Sequence, residues 1–216
     1  MLRKRCMEEN SDELQKNNSW RFEKKFTCAI WQLDELKTAF MRQGYRCVFP
    51  ERRVNSIYFD DYKLSNYYDN LLGISERTKY RLRFYGEKEF NNPKFEKKIK
   101  ESDFNTKETI DFFGDLQDFK SLKFPRRDYI RPLTHVSYSR EYFFNSLTGV
   151  RVTIDKDLIY SSLLSGTKIL ERELVVEFKS DQENLVLNVP KILSINTRNS
   201  KYCKSISLLG FASELY

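Results

Sequence analysis

Histidine is almost missing from this chain, and glycine, proline and cysteine are scarce. The single imidazole, His135, stands at the lead-in to a strand, a structural position rather than a catalyst's. No Ser-His-Asp or Cys-His pairing can be assembled, which disfavours acyl transfer. Cys6, Cys28, Cys47 and Cys203 are scattered without CxxC spacing, which argues against structural zinc and fits reduced, buried thiols. The sequence has no GxxxxGK[ST] loop, no GxGxxG after a strand and no HExxH. Residues 1–20 lack the apolar core of a signal peptide, and no apolar run approaches the roughly 18 residues that cross a bilayer. A cytoplasmic protein with no transmembrane segment of its own is expected. Residues 1–19 read as a flexible polar leader and 20–216 as one domain.

What is abundant is aromatic and charged. Seventeen Phe and 13 Tyr, with 40% hydrophobic residues overall, suit long strands around a real core. The net charge of +7 points to an anionic partner. Because 31 acidic residues are mixed among 38 basic ones, this is not a uniformly basic arm for nucleic acid.

The organising stretch is Arg77 to Tyr85. In a strand, Arg77, Lys79, Arg81 and Arg83 share one face, while Thr78, Tyr80, Leu82 and Phe84 share the other. Like charges on neighbouring positions repel, so such a face asks for something anionic against it. The alternation recurs in the segments read as strands: Trp20–Cys28, Val54–Asp60, Lys94–Ile99, Val136–Phe144, Val150–Asp155 and Leu170–Lys179. Helices are predicted over Leu33–Met41 and Pro190–Asn196, a short helix or turn over Tyr62–Leu72, and helical or mixed structure over Asn105–Lys120. Pro50–Asn55 reads as a basic connector, Pro125–Pro132 as a linker, and Ile206–Tyr216 as a tail that packs back on the body.

These faces predict an α+β, mainly antiparallel fold, a closed eight-stranded barrel flanked by helices, with a polar basic lumen. Arg21, Lys25, Lys98, Arg140, Arg151 and Lys179 join the Arg77–Arg83 series as inward candidates, against Glu23, Glu96, Glu171, Glu173 and Glu177. Arginine forks grip phosphate oxygens and lysines act as point charges, so such a lumen suits a linear triphosphate or polyphosphate. The carboxylates suit a hard divalent cation, Mg²⁺ or Mn²⁺.

Together the ordered pieces resemble a family. They are Arg21-Phe-Glu-Lys-Lys25-Phe26, Ser56-Ile-Tyr-Phe-Asp60, Arg77-x-Lys79-x-Arg81-x-Arg83-x-Tyr85, Phe95-Glu96-x-Lys98, Tyr138-x-Arg140, Val150-Arg151-Val-Thr-Ile-Asp155, Val176-Glu177-x-Lys179 and Ser200-Lys201-Tyr202. In this order they resemble the VTC domain of polyphosphate polymerases, within the CYTH-like triphosphate tunnel superfamily. The resemblance implies transfer of the terminal phosphate of ATP to a growing inorganic polyphosphate chain. It implies Lys25, Arg81, Arg83, Lys98, Arg140, Arg151 and Lys201 as the phosphate-gripping catalytic set. Arg77, Lys79, Tyr138, Lys179 and Ser200 are implied in substrate binding, and Glu177 as the ligand of Mn²⁺ or Mg²⁺. Hydrolytic relatives carry ExExK where this chain has Arg21-x-Glu23-x-Lys25, which fits the VTC branch. Nucleic acid is not an expected partner, and the resemblance leaves room for a membrane partner. The competing readings are a triphosphate hydrolase of the same fold and a non-catalytic polyphosphate-binding domain. A nucleic-acid-binding barrel ranks last, because most Phe residues fall opposite the cations.

Overall fold

The computed structural model describes residues 22–86, 93–101, 104–111, 130–182, 190, 193 and 199–211. The expected leader, residues Trp20 and Arg21, and nearly all of the predicted helix Pro190–Asn196 lie outside them.

Among the described residues nine strands form one antiparallel sheet: β1 Phe22–Ala29, β2 Arg46–Asp60, β3 Glu76–Tyr85, β4 Lys94–Glu101, β5 Phe104–Asp111, β6 Arg131–Phe144, β7 Arg151–Ser162, β8 Lys168–Glu171 and β9 Glu173–Ser180. Their order is β1-β9-β7-β6-β2-β3-β4-β5, with β8 paired to β7. The sheet is therefore open, and the expected closed eight-stranded barrel is corrected. Among the described residues, β1 pairs with β9 and β5 with β4, and the two end strands do not pair with each other. Alternation in sequence says which face a residue occupies, whereas closure depends on tilt and stagger that alternation does not encode. The sheet nonetheless curls, because side chains from β1 and β4 line one cavity.

Other boundaries moved for local reasons. The supposed connector Pro50–Asn55 belongs to β2, where register shifts flank Phe49 and absorb the proline in bulges. Of the segment Asn105–Lys120, expected to be helical or mixed, the described part up to Asp111 belongs to β5. Pro132 lies within β6, at another register shift, rather than in a linker. The single strand predicted over Leu170–Lys179 breaks at Arg172 into β8 and β9, both paired with β7. That break lies near a bulge in β7 where Asp157, at φ +53, adds one residue opposite β6. Before the bulge Val152 and Ile154 pack in one cluster; after it Leu158 and Tyr160 pack in another.

Helices cover both sides. Helix α1, Leu33–Arg42, carries Asp34 and Glu35 in its first turn and Arg42 in its last, complementing its dipole. Its Leu36 and Phe40 are one turn apart and bury against Phe26, Ile154 and Phe178. Gly44 ends the turn at φ +88, a left-handed conformation few other residues accept. Helices α2, Ser65–Leu71, and α3, Lys201–Leu208, share the second cluster with Tyr58, Tyr138 and Tyr160. Asp60, fully buried at the end of β2, knits them to the sheet. It accepts from the backbone N–H groups of Asn66 at 3.0 Å and Tyr67 at 2.9 Å, and from the Tyr202 hydroxyl of α3. Of the expected tail Ile206–Tyr216, Ile206 and Phe211 are buried in that cluster, and residues 212–216 lie outside the described ones.

Candidate active site

The period of two aims the Arg77–Arg83 series as its sequence suggests, with Lys79, Arg81 and Arg83 lining the cavity. Opposite them, Tyr80 and Leu82 are buried in a third cluster with Ile57, Phe59 and Phe95. From β1 come Glu23 and Lys25, from β4 Lys98, from β6 Tyr138 and Arg140, and from β9 Glu177 and Lys179. Ser200 and Lys201 close the wall at the start of α3. The cavity thus gathers every site residue expected from the sequence except Arg77 and Arg151. Arg77 donates to the Ile74 carbonyl at 2.7 Å, at the start of β3. Arg151 lies opposite Lys179 at the start of β7, half exposed, with Asp181 3.9 Å away.

Three cations are held by carboxylates behind the wall. Arg140 forks onto Asp155 with bonds of 2.5 and 2.7 Å, and Lys201 donates to the same carboxylate at 2.6 Å. Burial favours a neutral Asp155, but Arg140 and Lys201 outweigh it and keep the carboxyl below its usual range. Both cations also lie over the Tyr138 ring, at 5.2 and 4.7 Å. Arg81 is held likewise by Glu96, through bonds of 2.6 and 2.5 Å. Burial opposes the charge on Glu96, yet Arg81, Arg83 and Lys107 bring its carboxyl down to about 2. Sequence reasoning gave roles to Arg140, Lys201 and Arg81, counted Glu96 among the carboxylates suited to a divalent cation, and gave Asp155 none; Glu96 is instead taken up by Arg81 and Lys107. The missing signal is register: Asp155 stands opposite Arg140 and Glu96 opposite Arg81.

The other cations are less committed. Arg83 donates to the Tyr138 hydroxyl at 3.3 Å, and its Nε is buried without a partner among the described residues. Lys79 donates to the Ser200 hydroxyl at 3.0 Å. Burial, with repulsion from Lys25, Lys98 and Arg77, brings the Lys79 ammonium down to about 8. Lys98 is lowered too, by burial and then by Lys25 and Lys179 against the attraction of Glu23. An anion with several oxygens relieves all of these groups at once.

Glu23 and Glu177 are the carboxylates of the cavity wall. Glu177 meets Lys179 at 2.6 Å, and Glu23 meets Lys25 at 2.5 Å. Burial acts to raise Glu177, and Lys179, Lys25 and Arg140 hold it well below the carboxylate range. Among the described residues no group of three or more His, Cys, Asp or Glu gathers as a self-sufficient metal cage. Two ionised carboxylates do fit a hard cation that takes its remaining oxygens from phosphate and water, the usual habit of Mg²⁺.

The fold has solved counterparts. A candidate adenylate cyclase from Bacillus halodurans superposes with a TM-score of 0.56 at 12% identity, over 88% of this chain and 97% of its own. A candidate adenylate cyclase from Vibrio parahaemolyticus gives 0.52 at 13% identity, over 88% and 99%. A Pyrococcus horikoshii protein gives 0.50 at 13%, over 85% and 98%. At such identities the likeness concerns the fold. No curated protein matches the sequence. The VTC-domain model matches residues 20–113 and 115–210, and the chain belongs to the VTC-domain family. Among the described residues no helix is long and apolar enough to cross a membrane.

Proposed function

We propose that the domain is an ATP-dependent polyphosphate polymerase, moving the terminal phosphate of ATP onto a growing polyphosphate chain. One observation carries this reading: cations from β1, β3, β4, β6, β9 and α3 converge on one cavity, beside two ionised carboxylates. Family membership supports it, and the names of two fold neighbours imply ATP chemistry in those proteins. Consumption of ATP would place the reaction in the cytoplasm.

In the transfer, the bond from the γ-phosphorus to the bridging oxygen of ADP breaks, and a bond to the terminal oxygen of the acceptor chain forms. The acceptor oxygen is already ionised, so the step needs no general base, in keeping with a cavity wall that lacks histidine. The transition state spreads charge over three equatorial oxygens, and fixed cations stabilise it without reorganising. Arg140 and Lys201, locked on Asp155, and Arg81, locked on Glu96, are fixed in this sense. Arg83, Lys79, Lys98 and Lys25 would take the remaining phosphates, with Lys179 at the rim. Glu177, with Glu23 beside it, would hold Mn²⁺ or Mg²⁺, which would neutralise charge on the phosphate oxygens.

Incubation of the purified protein with ATP and Mn²⁺ tests the proposal. Long polyphosphate appearing with ADP on gels and chromatograms is the expected result. Free phosphate alone would make the domain a hydrolase, and tight tripolyphosphate binding without turnover a binding module.

Lys79 adds a pH dependence. Its ammonium is charged below about 8 and increasingly neutral above. A bound phosphate favours the charged form, so binding takes up a proton on the alkaline side. Affinity for tripolyphosphate should fall as pH rises through 8, by at most about tenfold per unit from this group. Titration calorimetry in two buffers of different ionisation enthalpy would detect the proton uptake, and Lys79→Arg should remove it.

A further inference from the structure

Beyond the cations, the same curved face continues into an aromatic cluster that the phosphate chemistry leaves unused. The bulge in β2 after Phe49 brings Phe49 opposite Tyr142 and Arg52 opposite Arg140, putting all four on one face. Phe49 and Tyr142 meet edge to face, with centroids 5.9 Å apart. The Arg52 guanidinium lies 5.5 Å from the first ring and 5.9 Å from the second. Tyr142 is within electrostatic reach of Arg140 and Tyr85. Tyr85 follows Arg83 on the same face of β3 and is 42% exposed, and Phe49 is 52% exposed.

An exposed Phe49 beside a half-buried Tyr142, with a guanidinium over both rings, leaves apolar area in water unless something covers it. Its position says what does. It adjoins Arg140, which lines the cavity, so a ligand whose phosphates sit there can extend onto it. We infer that Phe49, Tyr142 and Arg52 form a stacking platform for the nucleobase of a nucleoside triphosphate whose phosphates enter the cavity past Arg140. Bases stack on aromatic rings and guanidinium planes through their π faces, so the platform reads area rather than hydrogen-bonding edges. Purines bind better than pyrimidines there, and adenine and guanine bind alike. The inference rests on the nucleotide reading above and adds the base subsite to it.

The test compares two probes on the same protein by titration calorimetry: ATP, which has a base, and inorganic tripolyphosphate, which has none. Phe49→Ala, at a half-exposed position, should weaken ATP by roughly five- to a hundredfold and leave tripolyphosphate within about twofold. Phe49→Tyr should restore ATP binding. A fluorescent 2-aminopurine nucleoside triphosphate should be quenched by the wild-type protein and not by Phe49→Ala. Equal losses for both probes, or no loss for ATP, would overturn the platform. If wild-type protein binds ATP but not more weakly after the substitution, only the platform fails. If it binds neither probe, the phosphate reading fails with it.

Discussion

Asp155→Asn should cost the domain about 3–5 kcal/mol of stability, the usual result of leaving buried charges without their partner. The substitution keeps the size of the side chain and removes the charge that Arg140 and Lys201 share. Both cations are largely withdrawn from solvent, beside a carboxylate with no exposure of its own. An amide can still accept from one of them but cannot neutralise two. The loss is therefore larger than that of a surface pair, which is typically worth up to about 1 kcal/mol. Urea denaturation should show the midpoint falling with little change in slope. The damage should also reach the site, because β6 and α3 present their cations to the cavity through this one carboxylate. Unchanged stability together with unchanged tripolyphosphate binding would contradict the role given to Asp155.

Glu177→Gln should separate binding from turnover. Replacing the carboxylate removes one negative charge from a cavity meant for anions, so tripolyphosphate should bind as well as before or more tightly. Turnover with Mn²⁺ should fall by about 10²–10³-fold, the scale of losing several kcal/mol of metal-assisted charge stabilisation. A polymerase assay run beside calorimetry reads both quantities on one preparation. A parallel fall of binding and turnover would instead make Glu177 a structural partner of Lys179. Glu23→Gln gives the matching comparison, since Glu23 shares the wall and is likewise held ionised, against burial and Glu177, by Lys25, Lys98 and Lys179.

Which strands carry cavity-facing cations was legible in the sequence because a strand's period is rigid. Arg81 and Arg83 on β3, Lys98 on β4, Arg140 on β6 and Lys179 on β9 all arrive where alternation sends them. Alternation failed where the ladder is irregular. Pro50 and Glu51 lie between Phe49 and Arg52, and that added length brings two residues of opposite parity onto one face. Asp157 does the same in β7, so counting by twos past Asp155 selects the wrong residues. The segment 104–111 hid as a strand because polar residues recur on both its faces, leaving no period to read. Closure was beyond reach for a different reason, since it depends on how far the sheet twists between β1 and β5. Alternation placed Glu96 among the carboxylates suited to a divalent cation and left Asp155 without a role, because a carboxylate's partner is known only when register sets a cation across from it.

Ser200 joins two of these systems. Its hydroxyl oxygen accepts from the Cys203 backbone N–H at 3.3 Å, capping α3, and from Lys79 at 3.0 Å. A phosphate that draws the Lys79 ammonium to itself takes that second bond away. The cap then answers to the helix alone, and the serine rotor settles more firmly on the backbone it serves. Filling the phosphate site would in this way tighten the first turn of α3, making that short helix a gauge of whether its neighbour is loaded.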